Sequence, residues 1–375
     1  MEHQIDLVQG KRVGLITNQT GRLSSGGFLV DSLVARGINV VALFGPEHGI
    51  RGVAAAGEGV HDTVDERTGI PIISLYGKTK KPTGEMLKGV DVLVYDIQDV
   101  GVRFYTYIST MGLAMEAAAE KGIPFVVLDR PNPLGGVKVD GPIIEDSLRS
   151  FLGMFPIPIV YGLTCGELAK MINERGWLAH GIKVDLTVVA MEGWKRSMPW
   201  DETGVQWIPP SPNIPTPATT VVYPATCFIE ATNVSEGRGT QRPFEFIGAP
   251  FINARQLADS LNTLNLTGVQ FAPVSFVPQT SKFAGNECHG VEVIVVDRME
   301  FRPMETGLSL LRVLKRLYPQ SFEIKAMALR RLTGSSGALN WIQSDSSIEN
   351  EMRGLVHDLA DFQRGSRQFH LYSHP

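Results

Sequence analysis

The sequence predicts an α/β protein, with a doubly wound, mostly parallel sheet in its first half and a smaller α+β unit behind it. Three observations carry this. Short apolar, β-branched runs alternate with helix-like stretches from residue 12 to residue 191, the rhythm of a parallel sheet with crossover helices. Each helix-like stretch early in the chain closes on a glycine, the favoured residue just past a helix end. A segment with six prolines in eighteen residues (207–224) then breaks the rhythm, and the sequence beyond it is richer in β-like runs.

Taken in order, the strand candidates of the first half are RVGLITN (12–18), NVVALFG (39–45), IPIISLYG (70–77), VDVLVYDIQ (90–98) and IPFVVLDR (123–130). They are too short for helices and almost continuously apolar, as strands buried on both faces must be. FLVDSLVARG (28–37) and ISTMGLAMEAAAEKG (108–122) read as helices, and LTCGELAKMINERG (163–176) with IKVDLTVVAM (182–191) extends the alternation. Thr164 and Glu167 have the spacing of a capping box, a structural role sufficient for that glutamate. Glu116, inside MEAAAE, reads as a solvated helix-face residue. Regular structure should pause across the prolines, which places a domain boundary near residue 218, giving 1–218 and 219–375. Further strands are expected at 226–234, 269–278 and 290–297, and amphipathic helices at 254–264 and 307–319.

The bulk composition excludes several classes. With 35 Lys plus Arg against 39 Asp plus Glu, the net charge of −4 and the absence of a long basic run argue against a nucleic-acid partner. No stretch approaches the roughly 18 apolar residues of a membrane span, so membrane insertion is not expected. MEHQIDLVQGKRVGLITN lacks the basic-then-apolar pattern of an export signal. The expected compartment is the cytoplasm, or a secreted or periplasmic one if an export signal has been removed. Cys165, Cys227 and Cys288 are too few and too scattered for a disulfide framework or a zinc site. The eight histidines form no ligand pair, ITNQTGRLSSGG lacks a dinucleotide fingerprint, and GKT at 77–79 lacks the earlier glycine of a phosphate loop. No metal and no cofactor are expected.

Carboxylate acid–base chemistry is what remains, and the strand ends supply it. In open parallel sheets ligands bind outside the carboxyl ends of the strands. There stand Asn18; Glu47, His48 and Arg51 in FGPEHGIRG; Asp96, Gln98, Asp99, Arg103 and Tyr105; and Asp129, Arg130 and Asn132. Asp99 with Arg103 and Asp129 with Arg130 could equally be ion pairs that shape loops. In the second half, FIEATNVSEGRGTQRPFE (228–245) places Glu230 at a strand end, followed by Asn233, Ser235, Arg238 and Thr240 in a glycine-containing loop. Such a loop suits a hydroxyl-rich, partly anionic ligand held between domains. Asn213, in SPN, is either linker geometry or a ligand contact.

Together GLITNQTG, FGPEHGIRG, YDIQDVGVRFYTYISTM, VLDRPNPLGG, PSPNIPT and EATNVSEGRGTQRPFE resemble the exo-β-N-acetylmuramidases of the NamZ type, formerly a family of unknown function. The resemblance runs from about residue 10 to the C-terminus. It implies a Rossmann-like N-terminal domain without a nucleotide, a smaller C-terminal domain, and a cleft between them. It further implies release of N-acetylmuramic acid from the non-reducing ends of peptidoglycan fragments (MurNAc-GlcNAc or muropeptides), and the family's glutamate in GPEHG falls on Glu47. Glycoside hydrolysis then suggests Glu47 as general acid, His48 as a neighbour able to join the chemistry and Glu230 as the second carboxylate. Arg103 and Arg238 are candidates for a fork on the lactyl carboxylate. The rival reading is a non-catalytic binder of wall fragments.

Overall fold

The computed structural model describes residues 2–47, 49–50, 63–344 and 346–373. In chain order the first half contains β1 (Arg12–Thr17), α1 (Leu29–Ala35), β2 (Asn39–Gly45), β3 (Thr63–Val64), β4 (Pro71–Ser74), β5 (Val92–Asp96), α2 (Tyr107–Lys121), β6 (Phe125–Leu128), α3 (Cys165–Glu174) and β7 (Leu186–Val189). The second half contains α4 (Pro217–Thr226), β8 (Phe246–Ala249), α5 (Ala254–Asn262), β9 (Val269–Phe276), β10 (Cys288–Val295), α6 (Pro303–Leu317), α7 (Ala326–Thr333), α8 (Ala338–Gln343), α9 (Ile348–Met352) and α10 (Leu355–Ser366). Among the described residues no helix is long and apolar enough to cross a membrane.

The large sheet has the order β3-β4-β2-β1-β5-β6-β7, parallel except for the antiparallel edge strand β3. A second, antiparallel sheet has the order β8-β10-β9. The predicted α/β class and its mostly parallel sheet are therefore present.

Alternation along the strands explains why both faces are apolar. Val92 and Val94 of β5, with Val13 and Leu15 of β1, pack into a core on the α1 side. Leu93 and Tyr95 of β5, with Ile16 of β1, face the opposite core. Successive side chains point to opposite faces, so a strand covered on both sides must be apolar at every position. That second core continues without a break through Met111 of α2 and Leu168 of α3 into Phe228, Leu308 and Leu314 of the second half.

Local signals set several boundaries. The capping box of α3 is formed: Thr164 Oγ1 accepts from Glu167 N at 3.2 Å, and Thr164 N donates to Glu167 Oε2 at 3.1 Å. Two expectations fail here. The proline-rich segment does not stay irregular to its end, because Thr216 caps α4 and Pro217 sits in its first turn, where a missing N–H costs nothing. The expected strand at 226–234 is instead the end of α4 followed by a 3-10 turn, Cys227–Ala231. Glu116 is also not solvated; it is buried, bonded to Lys81 Nζ at 2.5 Å and to Ala179 N at 2.8 Å.

Candidate active site

From β1 the chain first builds one flank of the sheet (β2, β3, β4) and then returns to build the other (β5, β6, β7). The strand order thus reverses beside β1, and crevices form outside the carboxyl ends of strands at such a point. Glu47 leaves the end of β2 there, and residues 104–106 lead from β5 into α2. Both segments line one cleft with about 540 Å³ of open space, its mouth included, closed from the other side by second-half residues.

Neighbouring hydroxyls hold Glu47. Thr106 occupies the N-cap position of α2 but makes no cap bond to its own helix. Its hydroxyl donates to Glu47 Oε2 at 2.9 Å. Tyr76, just past β4, sets its phenol against the same carboxylate; burial first, then the Glu47 charge, pushes that phenol up to about 12. Tyr107 donates to Pro210 O at 2.6 Å, and Gln19 donates to Pro209 O at 2.8 Å. These two bonds lash the proline-rich segment over the strand ends, so Ser211, Asn213 and Ile214 form part of the cleft wall.

The opposite wall carries Glu230 on its 3-10 turn, with Arg238 alongside. Arg238 Nη2 donates to Glu230 Oε1 at 2.5 Å and its Nε reaches Glu236 Oε1 at 3.1 Å, while the guanidinium lies 5.0 Å from the centre of the Phe244 ring. Lys282 braces Glu236 from behind at 3.0 Å. Burial pushes the Glu230 carboxyl above its usual range, against the opposing pull of Arg238. Burial pulls on Arg238 in the other direction, but the two glutamates outweigh it and hold the guanidinium firmly charged. The floor is aromatic: Tyr223 meets Phe104, Tyr105 and Phe244 edge to face at 5.3, 6.1 and 4.7 Å. Two carboxylates, a cation and apolar ring faces in one small cleft suit a sugar, whose faces are apolar and whose rim is hydroxylated.

Of the residues singled out in the sequence, Glu47, Tyr105, Asn213, Glu230 and Arg238 come together here. His48 and Arg51 lie outside the described residues. The others make bonds within the protein and do not line this cleft. Arg103 is the clearest correction: its side chain is fully buried (0%), with Nη1 donating to Pro142 O at 2.6 Å and Ile157 O at 2.9 Å, and Nη2 to Leu332 O at 3.1 Å. It straps three distant segments together and is not available to a lactyl carboxylate; burial pulls its guanidinium down to about 9.

Nor does Arg103 pair with Asp99, which accepts from the Tyr161 hydroxyl and from Gly101 N. Asp96 pairs with Arg130 at 2.7 Å, so Arg130 does not pair with Asp129. Gln98 bonds Asp99 O and Pro131 O, and Asn132 bonds Leu163 O and Leu134 N. Asp129 gathers Thr164, Gly166 and Tyr372. Asn18 is buried, accepting from Thr20 N and Oγ1. Asn233 is spent on Ser321 O and Glu323 N; Ser235 and Thr240 stabilise the turn around Gly237. Glu230 itself stands on a helical turn and not at a strand end.

Sequence reasoning missed Tyr76, Thr106 and Tyr223. Tyr76 lies near the end of the third strand candidate (70–77), whose end was not read for polar residues; Thr106 is a threonine just ahead of a helix. Tyr223 carried no local signal.

Fold and cleft together define an α/β protein whose carboxylate-lined site is shared between its two halves. Comparison with known proteins narrows this. The family description "Exo-beta-N-acetylmuramidase NamZ, N-terminal" matches residues 13–218, and its C-terminal counterpart matches residues 221–372. The chain is 50% identical over 367 residues to the peptidoglycan beta-N-acetylmuramidase NamZ of Bacillus subtilis strain 168, spanning 97% of this chain and 88% of that protein. Two crystal structures of DUF1343 family proteins from Bacteroides fragilis NCTC 9343 superpose on it. One has a TM-score of 0.91 at 42% identity, covering 99% of this chain and 97% of that one. The other has a TM-score of 0.83 at 32% identity, covering 100% and 97%. This chain belongs to the NamZ exo-β-N-acetylmuramidase family.

Proposed function

We propose that the chain is an exo-acting β-N-acetylmuramidase that releases N-acetylmuramic acid from the non-reducing end of peptidoglycan fragments, with Glu47 as the general acid. Family membership supports the reaction. The single observation that supports the residue is the cleft in which Glu47 faces a second carboxylate wall across an aromatic floor. Hydrolysis of a glycosidic bond needs a proton delivered to the leaving oxygen and a second group to help water or to stabilise the sugar cation. Glu47, steadied by Thr106 and Tyr76, is the donor; Glu230, paired with Arg238, is the second carboxylate.

Arg238 is the group for the lactyl carboxylate, which distinguishes muramic acid from glucosamine. It is a planar cation in the cleft wall, and a carboxylate can take two of its N–H donors at once. The division near residue 218 puts Glu47 on one domain and Glu230 with Arg238 on the other, so the substrate bridges them.

The test is release of 4-nitrophenol from its β-N-acetylmuramide and β-N-acetylglucosaminide by wild type and Glu47→Gln. Turnover of the muramide alone, abolished in the folded variant, is the expected result. A folded wild type that binds wall fragments but turns over neither sugar would return the protein to the binding class.

A further inference from the structure

Tyr105 stands out in the cleft because its polar end lacks a well-formed partner among the described residues. The residue is 8% exposed and lines the cleft, and among the described residues its hydroxyl makes no well-formed hydrogen bond, with the Tyr107 hydroxyl as a close polar neighbour. The neighbouring Tyr107 hydroxyl gives its own proton to Pro210 O at 2.6 Å, and the two rings meet edge to face at 4.8 Å. Burying a hydroxyl without a partner is costly, and native proteins rarely keep one without a use. Burial also keeps this phenol protonated far above neutral pH, so it is a donor under all working conditions. An orphaned donor on the floor of a site is a place where an acceptor on the ligand belongs.

The surroundings select the acceptor. Among the described residues Arg238 is the cation of the cleft and takes anionic groups; Tyr105 is neutral and sits among Phe104, Tyr107 and Tyr223. An acetamido group matches that setting in both its parts. Its methyl is apolar and fits against aromatic rings, and its amide carbonyl is the strongest neutral acceptor on an N-acetylated sugar. We propose that the Tyr105 phenol donates to the acetamido carbonyl of the bound sugar and makes the site selective for the N-acetyl group, an inference that rests on the muramidase reading above.

Tyr105→Phe tests it, with N-acetylmuramic acid and its de-N-acetylated form, muramic acid, as calorimetric ligands and the 4-nitrophenyl β-N-acetylmuramide as substrate. Removing a hydroxyl that makes no well-formed hydrogen bond should leave the melting temperature nearly unchanged, whereas Tyr107→Phe, which loses the bond to Pro210 O, should lower it. In Tyr105→Phe, affinity for N-acetylmuramic acid should fall roughly tenfold while any affinity for muramic acid is unchanged. Unchanged affinity for N-acetylmuramic acid, or an equal loss for both ligands, overturns the assignment. A wild type that hydrolyses the muramide beside an unaffected Tyr105→Phe sinks this inference alone. A wild type that neither binds N-acetylmuramic acid nor cleaves the muramide sinks the muramidase reading with it.

Discussion

Two polar clusters sit at the carboxyl ends of the same parallel sheet, and they are built in opposite ways. One is the cleft around Glu47, Glu230 and Arg238. The other is a knot beyond β6 and β7, where Arg196 Nη1 meets both oxygens of Glu167 at 2.5 and 2.6 Å. In the knot, Arg196 also bonds Gly136 O and Gly162 O, and Glu167 takes Leu371 N at 2.9 Å from the C-terminal segment. Asp129 beside it collects Thr164, Gly166, Arg130 N and Tyr372. The knot's two charged partners are 1% and 0% exposed; the side chains of Arg238 and Glu230 keep 21% and 32%. Residue type does not separate these clusters, since each combines acids with an arginine. What separates them is whether the chain consumes its own polar groups or leaves some to a ligand.

Substitutions in the two clusters should therefore fail in different currencies. Glu47→Gln should lower turnover of the muramide by about 10²- to 10⁴-fold, the usual worth of a general acid, with the melting temperature nearly unchanged. A fall in melting temperature that accounts for the lost activity would show that the cleft, too, is a structural knot. In the knot, Glu167→Gln leaves Arg196 charged and buried, which costs about 3–5 kcal/mol. Its melting temperature should drop by roughly 4–6 °C while turnover per folded molecule at room temperature stays within about twofold. Selective loss of turnover without destabilisation would erase the distinction.

This distinction is also where the sequence stops being readable. The strand at 39–45 and the capping box Thr164–Glu167 are legible because their signals are local: a short β-branched run and a three-residue spacing. Glu47 is legible because a polar residue just past a parallel strand has one place to go. Arg103 looks like a ligand fork by the same rule, yet its acceptors lie 39, 54 and 229 residues away, and nothing near it in the chain announces them. Glu230 is found as a residue but on the wrong element, because a short apolar run such as Cys227–Ala231 fits a strand or a helical turn equally well. Packing decided it: α4 lies against α6, with Ala225 O and the Phe228 ring filling the space where Gly307 lacks a side chain.

A third, smaller contrast concerns pH. Burial pushes the Asp99 and Asp129 carboxyls up to about 6, above the ordinary 3.8. A raised carboxyl binds its proton more tightly when folded. Its contribution is therefore full below about pH 4 and is lost as pH rises through about 6. The melting temperature should fall between about pH 4 and pH 6. Asp99→Asn should flatten that slope by an amount on the order of 1–3 kcal/mol, since an amide oxygen can still accept from Tyr161 and Gly101 while the other Asp99 oxygen has no partner to lose. Asp129→Asn should destabilise instead, because all four of its neighbours are donors and an amide nitrogen would face some of them. A slope that survives Asp99→Asn unchanged would locate the pH dependence elsewhere.

The finest test concerns a residue that belongs to both worlds. Thr106 stands where a helix cap should be, yet its hydroxyl is turned to Glu47 and does nothing for α2. A cap residue replaced by Ala or Val ordinarily costs about 1 kcal/mol of stability. Here Thr106→Val removes no cap bond, and the methyl fills the space of the lost hydroxyl, so the melting temperature should hold. What goes is one restraint on the orientation of the Glu47 carboxylate, which should lower kcat about three- to tenfold with KM unchanged. A drop in melting temperature at constant kcat would assign Thr106 to the helix after all. A loss confined to kcat would show the first turn of α2 serving as a bracket for the acid, a task for which its own cap was given up.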